Sequence, residues 1–258
     1  MRLLLNDLDV TPAAGADVTL DQAAIARLYA YPKEQDRPAW VRANFVSTLD
    51  GAATGEDSKA GSINTRADRE VFALMRAHAD VILVGAGTAR AESYRRPTAA
   101  ERWRRLGLRA ERPPHPALAV VSRSADVPPL LAKHHEDTGE VILVTCTEAG
   151  QEAISLARET LGDDHVVVLG GSSVDLATAV GELAQRGLGR VLCEGGPHLL
   201  HDVIAAGCLD ELCLTLSPKV IAGEHLRILA GDPVDGDFVP RVLIESEGTL
   251  LGRWLRPR

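Results

Sequence analysis

The sequence predicts an α/β fold in which a mainly parallel central sheet has helices on both faces and an antiparallel C-terminal edge. Short apolar runs such as DVILVG alternate with segments of helical periodicity. Most of these runs are apolar throughout, which is typical of parallel strands covered on both faces. Near the C-terminus, strand patterns follow one another directly, which indicates antiparallel pairing.

The composition is that of an ordinary globular protein. The chain has 258 residues, of which 45% are hydrophobic but only 3% aromatic, so the core must consist mainly of Val, Leu, Ile and Ala. A net charge of -8 disfavours binding to nucleic acids and anionic membranes. The arginines between Arg102 and Arg112 are interrupted by Glu101 and Glu111, so we expect them to form a solvated helix face.

The cysteines and the N-terminus indicate a reduced, cytoplasmic protein without a metal site. None of the four cysteines forms a Cys-x-x-Cys pair or has a histidine at metal-ligand spacing. Cys146 and Cys193 lie in apolar runs, where cysteine is commonly a small core residue. The start, MRLLLNDLDV, has too short an apolar run for a signal peptide, and no run approaches the ~20 apolar residues of a membrane span.

Residues 1–38 are predicted to form an N-terminal helical extension that precedes one domain at 39–258. In the extension, DVTLDQAAIARLYAYP predicts a helix that begins with Thr19 or Asp21 as N-cap and ends before Pro32, followed by the polar linker KEQDRP. The domain begins with a strand in WVRANFVSTL. Its first helix, TRADREVFALMRAHA, is amphipathic, and one side of it consists of Val71, Leu74, Met75 and His78.

The remaining elements continue the alternation. The predicted helices are EAGQEAISLARETL, VDLATAVGELAQRG and HLLHDVIAAG, and the predicted strands are DVILVG, ALAVVS, VILVT, HVVVLG, RVLCEG and ELCLTLSPKV. Ser172 or Ser173 is expected to cap the second of these helices, and Gly187 to end it. The final segment, FVPRVLIESEGTLLGRWL, predicts two strands around Glu247–Gly248.

The stretch VLCEGGPHLL, residues 191–200, joins a strand to a helix through two glycines and a proline. A helix N-terminus after a strand presents free N–H groups and partial positive charge, which favours phosphate binding. Gly195 and Gly196 allow a ligand to approach the backbone, and Pro197 suits a first helical turn because its missing N–H costs nothing there. Taken alone, the motif also fits an ordinary tight turn.

A second glycine turn is VGAGTAR, residues 84–90. It contains the Gly-x-Gly of a dinucleotide fingerprint, although Arg90 stands at the position of the third glycine. Two such turns after two strands of one sheet could hold the two ends of one pyrophosphate-containing ligand. After ALAVV, Ser122 and Arg123 offer a hydroxyl and a guanidinium, which suit the 2′-phosphate of NADPH, although a surface arginine is the plainer interpretation.

Together, NFVSTLDGAAT, DREVFALMRAHADVILVGAGTAR and RGLGRVLCEGGPHLL resemble the reductase domain of the riboflavin-biosynthesis deaminase–reductase, which shares its fold with dihydrofolate reductase. The resemblance covers residues 39–256 and implies that 39–258 is a dihydrofolate reductase-like reductase domain. It implies an NADPH-dependent enzyme, usually a homodimer. The family substrate is an aminopyrimidinone with a ribose 5-phosphate, and hydride from NADPH opens the ribose to a ribityl chain.

For the cofactor, the resemblance implies contacts from both glycine turns and from the end of ALAVVS. Gly196 to His201 match the family's diphosphate-binding turn. The expected cofactor-binding residues are Gly85, Gly87, Thr88, Ser122, Arg123, Gly195, Gly196, Pro197, His198 and Leu199.

For the substrate, Arg76 matches a substrate-binding arginine of the family, and Glu194 matches an acidic residue at the substrate end. Asn44, Ser47 and Asp50 belong to the strand and loop that line the nicotinamide pocket in the family. These five residues are therefore expected near the reacting groups.

Two features differ from the family. The zinc deaminase signatures of the bifunctional members, His-x-Glu and Pro-Cys-x-x-Cys, are not found in this sequence, so it corresponds at most to the reductase half. After the second glycine turn, the family usually has two aspartates and a proline, whereas this chain has ARAESYRRP. Glu92 can replace one aspartate, Ser93 and Tyr94 are unusual, and Arg95 or Arg96 can meet a substrate phosphate at a shifted position.

Asp68 and Phe72 are four residues apart in the predicted helix, so they face the same side. The pair is similar to the helix-borne Asp and Phe that hold the pterin in dihydrofolate reductases. It also fits an ordinary helix-start aspartate and a core phenylalanine. A carboxylate beside a partly apolar pocket has a raised pKa and can supply a proton as hydride arrives, a role for which Asp50 and Glu194 are alternatives.

The sequence thus favours an NADPH-dependent reductase of a pyrimidinone ribose phosphate, similar to 5-amino-6-(5-phosphoribosylamino)uracil reductases. Asp68, Asp50 or Glu194 would protonate the substrate, and Asn44, Ser47, Phe72 and Arg76 would help to bind it. One alternative is a reductase of dihydrofolate or another pteridine. An alternative of a different class is a sensor that binds NADPH without turnover. The expected partners are a small heterocyclic substrate and a second copy of the chain.

Overall fold

The computed structural model describes residues 1–8, 18–32, 37–133 and 135–257. Within these residues, ten strands form one sheet: β1 (Arg2–Asn6), β2 (Trp40–Thr48), β3 (Val81–Gly85), β4 (Ala117–Val121), β5 (Val141–Thr145), β6 (Val166–Val168), β7 (Arg190–Cys193), β8 (Glu211–Ser217), β9 (Val239–Ser246) and β10 (Thr249–Leu255). Their order across the sheet is β1-β9-β10-β8-β2-β7-β3-β4-β5-β6.

The helices are α1 (Gln22–Leu28), α2 (Arg66–His78), α3 (Ala86–Ala91), α4 (Glu101–Arg104), α5 (Pro129–Ala132), α6 (Gln151–Leu161), α7 (Leu176–Gln185) and α8 (Pro197–Ala205). The short helices α3, α4 and α5 were not predicted, because four to six residues are too few to show helical periodicity. No helix in the described part of the chain is long and apolar enough to cross a membrane.

The pairing of the strands confirms the predicted fold class. From β8 to β6 in the sheet order the strands are parallel to one another, whereas β10, β9 and β1 form an edge that is antiparallel to β8 and within itself. The predicted turn at Glu247–Gly248 joins β9 to β10, and both residues have positive φ. The carboxyl ends of β2, β3 and β7 consequently lie side by side at one edge of the sheet, where ligands of such folds bind.

Helices cover both faces of the sheet because successive residues of a strand point to opposite sides. In β3, Val81 and Leu83 pack with apolar residues of α7 and α8 on one face of the sheet, whereas Ile82 and Val84 pack with α6 on the other. Continuous apolar runs are therefore required in the central strands, as the sequence predicted.

The N-terminal segment adds an edge strand that the sequence did not predict: β1 pairs antiparallel with β9. The helix α1 was predicted, and Asp21 is its N-cap, since the Asp21 carboxylate accepts a hydrogen bond from Ala24 N (2.6 Å). Buried residues of α1, including Ile25 and Leu28, pack in the hydrophobic core with residues of α2. The boundary at residue 38 stays a prediction, and residues 9–17 and 33–36, including most of the predicted linker, lie outside the described residues.

Arg42, Glu211 and Arg253 form a buried charge cluster, termed here the core cluster, between the sheet and the end of α1. Glu211 accepts hydrogen bonds from Arg253 Nε (2.6 Å) and Arg42 Nη2 (3.0 Å). The two guanidiniums also donate to the backbone carbonyls of Leu28 and Tyr29 at the C-terminal end of α1. Burial alone would favour the neutral acid, but the charges of Arg253 and Arg42 outweigh it and lower the pKa of Glu211 to about 2.

Two local predictions are wrong. The helix α7 is capped by Asp175, whose carboxylate accepts a hydrogen bond from the backbone of the first turn (3.0 Å), and not by Ser172 or Ser173, because the turn after β6 is longer than expected. Arg109 does not lie on a solvated face. Arg109 is buried and donates to the carbonyl of Ala77 near the end of α2 (3.2 Å) and to that of Pro113 (2.7 Å), contacts that the spacing of the arginines could not reveal.

Candidate active site

A cavity of about 890 Å³ opens at the carboxyl edge of the parallel strands. Its walls come from β2, the loop between β2 and α2, one face of α2, both glycine turns and residues 91–98. The predicted site residues that line it are Asn44, Asp68, Phe72, Arg76, Gly87, Thr88, Glu194, Gly196, Pro197 and His198. The fold thus brings together motifs that lie far apart in the sequence.

Helix α2 presents three of the predicted site residues to the cavity at intervals of four residues: Asp68, Phe72 and Arg76. This spacing places them along one face of the helix. Thr65 is the N-cap, and its hydroxyl accepts a hydrogen bond from Asp68 N (3.2 Å). The buried residues on the other side, among them Leu74, pack in the core. One helix therefore arranges an acid, an aromatic ring and a cation in a row.

The carboxyl of Asp68 is almost sealed from solvent, since the residue is 4% exposed. Burial raises its pKa, and a hydrogen bond with Thr215 and the charge of Arg69 oppose the shift only in part. Thr215 lies on β8, opposite Val46 of β2. A carboxyl with a raised pKa keeps its proton closer to neutral pH, so it is suited to donate that proton to a ligand.

Arg76, Glu194 and Tyr94 form a second charged group, termed here the cavity cluster. Arg76 makes a bidentate pair with Glu194, from Nε to Oε1 (2.7 Å) and from Nη2 to Oε2 (2.6 Å). The Tyr94 hydroxyl donates to Glu194 Oε2 (2.6 Å). The Arg76 guanidinium lies over the Phe72 ring at 4.4 Å and over the Tyr94 ring at 5.4 Å. Arg76 and Glu194, both expected to contact substrate, are thus bound to each other at the cavity wall.

The two glycine turns are in direct contact. The Gly85 N–H donates to the Gly195 carbonyl (2.7 Å). A Cβ added at Gly196 would lie 2.4 Å from the Thr88 hydroxyl, and one added at Gly195, where φ is +80°, would lie 2.5 Å from the Phe45 ring. Side chains at these two positions would force the turns apart, which explains why two glycines follow each other here.

The start of α8 forms part of the same wall. Gly196 is its N-cap and Pro197 its first residue, as the sequence predicted. His198 is exposed, whereas the Leu199 side chain is buried in the core, so any contact of Leu199 with a cofactor would come from its backbone. The N–H groups of this first turn have no acceptor within the helix, so they can bind an anion.

Ser47 and Asp50 do not line the cavity. Ser47 is buried and donates to the Thr48 carbonyl (2.9 Å). Asp50 accepts hydrogen bonds from the Thr48 hydroxyl and from the N–H groups of Ala222 (2.7 Å) and Ile221 (3.0 Å). These hydrogen bonds lower the pKa of Asp50 to about 2. Asp50 therefore connects the loops after β2 and β8, and as an ionised group it is poorly suited to donate a proton.

Ser122 and Arg123 also lie outside the cavity, at the carboxyl end of β4. Ser122 is buried, and its hydroxyl accepts a hydrogen bond from Asp126 N (3.1 Å). Arg123 is exposed. Because β4 pairs with β3, both residues follow the strand next to the one that ends at Gly85.

Several residues of the cavity wall were not predicted as site residues. They include Phe45, Asn64, Tyr94 and Leu226, the last from the loop between β8 and β9. Tyr94 had a signal in the sequence, since it is an aromatic residue in an otherwise polar segment. The others had none, because their position depends on how distant loops meet.

The segment after α3, where the sequence differs from the family pattern, also contributes to the cavity. Glu92, Arg95 and Arg96 line the wall. Glu92 accepts a hydrogen bond from Ala60 N (3.1 Å), so it connects this segment to the loop before α2. Arg96 donates to the Lys133 carbonyl (2.8 Å), whereas Arg95 is exposed at the cavity wall.

The four cysteines are free thiols, and Cys146 and Cys193 are buried in the core as predicted. Among the described residues, no group of three or more His, Cys, Asp or Glu side chains is arranged to hold a metal ion.

Comparison with known proteins identifies a family and relatives of the chain. Residues 39–240 match the RibD C-terminal domain family. The 2,5-diamino-6-ribosylamino-4(3H)-pyrimidinone 5′-phosphate reductase of Archaeoglobus fulgidus is 28% identical over 185 residues, which are 72% of this chain and 83% of that protein. The reductase of the same name from Methanothermobacter thermautotrophicus is 28% identical over 205 residues, which are 78% of this chain and 85% of that protein.

A crystal structure of a pyrimidine reductase-like protein from Corynebacterium diphtheriae has the same fold. It superimposes with a TM-score of 0.75 at 23% sequence identity, and the match covers 90% of this chain and 99% of that one.

Proposed function

The chain belongs to the RibD C-terminal domain family, and from this membership we propose that it is an NADPH-dependent reductase of a pyrimidinone ribose phosphate in riboflavin biosynthesis. Both relatives described above are named as reductases of a diaminopyrimidinone ribosyl 5′-phosphate. The observation on which the proposal rests is that a single cavity joins Asp68, a buried acid, to the two glycine turns.

The residues at the cavity suit NADPH. At the glycine turns the wall consists of backbone, and the N-terminus of α8 offers N–H groups to a diphosphate. A Cβ at Gly87 would meet nothing within 4 Å, so a cofactor can approach the second turn there. When bound, NADPH supplies the hydride.

The preference for NADPH over NADH rests on Ser122 and Arg123 at the end of β4. The exposed Arg123 guanidinium suits a phosphate dianion, the group that distinguishes NADPH, whereas the buried Ser122 hydroxyl holds the loop through Asp126 N (3.1 Å). Arg90 is a weaker candidate for this contact, because it already pairs with Asp126 (2.5 Å).

In this proposal, Asp68 is the proton donor. Opening the ribose ring breaks the bond from C1′ to the ring oxygen, forms a C1′–H bond and requires a proton on that oxygen. Burial raises the pKa of Asp68, which makes its carboxyl a better proton carrier than an exposed aspartate, and the side chain forms a hydrogen bond with Thr215. Phe72 offers its ring for stacking with the heterocycle, one helical turn further along the cavity wall.

The other two carboxylates have different roles in this proposal. Both oxygens of Glu194 accept hydrogen bonds from the cavity cluster, so Glu194 positions Arg76 toward the substrate end. Asp50 holds two loops together in its ionised form. Neither is placed to deliver a proton.

Reduction of dihydrofolate or another pteridine is the second candidate, since Asp68 and Phe72 both line the cavity as that alternative requires. The names of the relatives favour the ribose phosphate. The sensor alternative predicts binding of NADPH without turnover.

The test is loss of reduced-nicotinamide absorbance with NADPH, using the diaminopyrimidinone ribose phosphate, the corresponding 5-aminouracil compound and dihydrofolate in parallel. The proposal predicts turnover of at least one of the ribose phosphates at a higher kcat/KM than dihydrofolate. Preferential turnover of dihydrofolate would establish the pteridine alternative, and tight NADPH binding without turnover of any compound would establish the sensor.

A homodimer and a cytoplasmic location are part of the same proposal. The homodimer follows from the family resemblance, and the four free thiols support a reducing compartment. Light scattering of the purified protein would measure the mass directly, and a monomer at assay concentration would exclude the dimer.

A further inference from the structure

The loop between β8 and β9, residues 218–238, contributes Leu226 to the cavity wall. The whole loop is described, and it contains neither a helix nor a strand. Its first half is fixed by the hydrogen bonds to Asp50 and by one from Ala53 N to the Leu226 carbonyl (2.7 Å). Ordered connections of this length without regular structure are uncommon in compact domains and are usually functional. The contacts of its second half therefore matter for the shape of the cavity.

The second half of the loop lies along α8, the helix that begins with the proposed diphosphate-binding turn. Ala230 N donates to the Pro197 carbonyl in the first turn of this helix (3.3 Å). One turn further along α8, the His201 ring lies against Gly231, where an added Cβ would be 2.7 Å from ring carbons. The φ of Gly231 is +150°, so a side chain there would be strained and would displace the ring. His201 is thus the helix residue against which this part of the loop packs.

Both ring nitrogens of His201 face hydrogen-bond acceptors. Nδ1 lies 2.9 Å from Asp202 Oδ1, and Nε2 lies 3.0 Å from the backbone carbonyl oxygen of Asp232 in the loop. An ionised carboxylate and a carbonyl can only accept, so each contact needs a proton on the nitrogen that faces it. A neutral imidazole carries one such proton and an imidazolium carries two. Both hydrogen bonds can therefore form together only when the ring is charged.

The charged groups around the ring favour the same state. The carboxylates that act on it are those of Asp202, on α8 itself, and Asp232, in the loop. The hydrogen bond with Asp202 and, after it, the one with the Asp232 carbonyl raise the pKa of His201, although burial opposes the shift. When the pH rises through this value, the proton that remains stays with the ionised Asp202, because a charge-assisted hydrogen bond is the stronger. The hydrogen bond to the loop is then lost.

We infer that His201 is a positioning residue whose imidazolium fastens the loop between β8 and β9 to α8, which holds Leu226 in the cavity wall and supports binding of the substrate. The fastening is complete in mild acid and is lost as the pH rises. The effect on the substrate rests on the proposed function, whereas the fastening of the loop does not.

The experiment compares the parent with His201→Phe and His201→Gln. Phenylalanine keeps a ring against Gly231 but donates no hydrogen bond, whereas glutamine offers a neutral donor in place of Nε2 that does not titrate. His165→Gln is the matched control, because His165 also lies beside a carboxylate, that of Glu140 (3.8 Å), but precedes β6 and does not line the cavity. Hydrogen exchange of residues 226–238 without ligands, and the KM for the pyrimidinone ribose phosphate, are measured from about pH 6 to about pH 9.

At about pH 6 we expect the loop of His201→Phe to exchange about tenfold faster than that of the parent, and its KM to be about 3- to 10-fold higher. Both ratios should fall toward one at about pH 9, as the parent ring loses its second proton. Comparing two proteins at each pH cancels the pH dependence of exchange itself and that of Asp68. The ratio of His201→Gln to His201→Phe should not change with pH, and His165→Gln should match the parent.

A ratio of exchange rates between His201→Phe and the parent that is constant over this pH range would overturn the inference. Faster exchange in His201→Phe with an unchanged KM would overturn the link between the loop and the substrate. If the parent neither binds nor reduces the ribose phosphate, the proposed function fails, and the exchange experiment still decides whether His201 fastens the loop.

Discussion

The core cluster and the cavity cluster contain the same pair of residue types in different surroundings. In the core cluster, Glu211 is bound by two arginines, and the side chains of Arg42 and Arg253 are at most 3% exposed. In the cavity cluster, Glu194 is bound by one arginine and one tyrosine, and the Arg76 side chain is 24% exposed. One group is sealed beneath α1, whereas the other opens toward the proposed substrate.

The two clusters differ in access and not in residue type, and in the proposed function this difference separates a structural ion pair from one that meets the substrate. A sealed pair cannot contact a ligand, and a buried charge is costly unless every partner is present. A pair at a cavity wall keeps its partners and can still offer a cation and a ring face to a ligand. Breaking each cluster should therefore affect a different property of the protein.

The largest effect on stability is expected for Glu211→Gln. This change leaves two buried guanidiniums without a carboxylate, and loss of one partner of a buried pair costs about 3–5 kcal/mol. Chemical denaturation would measure the loss. Glu101→Gln, which removes an exposed partner of Arg104 and Arg105, is the control and should leave stability at the parent's value. Equal stability of the Glu211 variant and this control would contradict the assignment of the core cluster.

The same cluster predicts how stability depends on pH. The pKa of Glu211 is about 2 in the folded protein, below the ~4.3 of an unperturbed glutamate, so its contribution is present above the unfolded value and is lost as the pH falls toward 2. The free energy of unfolding, followed over this pH window, should fall more steeply in the parent than in Glu211→Gln. Parallel curves would indicate that Glu211 is not the group that titrates.

A smaller effect on stability but a clear effect on activity is expected for Glu194→Gln. Without the carboxylate, Arg76 loses its bidentate partner and its fixed position, so kcat/KM should fall about 10- to 100-fold. Because Arg76 is open to the cavity, the stability loss should be about 1–2 kcal/mol, between that of surface and buried pairs. A variant as unstable as Glu211→Gln would remove the distinction between the clusters.

The smallest effect is expected for Tyr94→Phe, which removes one hydrogen bond and keeps the ring over Arg76. The Arg76–Glu194 pair remains, so we expect kcat/KM to fall no more than about tenfold and the Tm to change little. Steady-state kinetics of this variant beside Glu194→Gln would rank the two contributions. A larger loss for Tyr94→Phe than for Glu194→Gln would mean that the tyrosine hydroxyl itself contacts the substrate.

Features that depend on a local sequence pattern could be predicted from the sequence, whereas contacts between distant segments could not. The strand β3 and the helix α2 were predictable because their apolar periodicity is local, and the glycine turns were predictable because they follow strands. The strand β1 was not, because this short terminal segment is held by pairing with β9 at the other end of the chain and by backbone hydrogen bonds to residues 18–20. Arg76 and Glu194 were each predicted as site residues, but not their pairing across 118 positions.

For single residues of the cavity, too, only those in a local pattern could be predicted. Asp68 was predicted from its spacing to Phe72, whereas Leu226 has no pattern of its own and reaches the wall only because the loop between β8 and β9 folds over the cavity. Asp50 and Glu194 were indistinguishable from Asp68 as proton donors in the sequence. Their hydrogen-bond partners, which come from distant segments, separate the three carboxylates.

The most direct test of the account is the pH dependence of NADPH oxidation with the pyrimidinone ribose phosphate, measured for the parent and for Asp68→Asn. Burial raises the pKa of Asp68, and only the protonated carboxyl donates, so kcat/KM of the parent should fall as the pH rises through a value above the ordinary carboxyl range. Asp68→Asn should lose about 10²- to 10⁴-fold in rate and should lack that pH dependence. A variant that keeps the parent's rate and pH profile would contradict the assignment of Asp68 as the acid of this site.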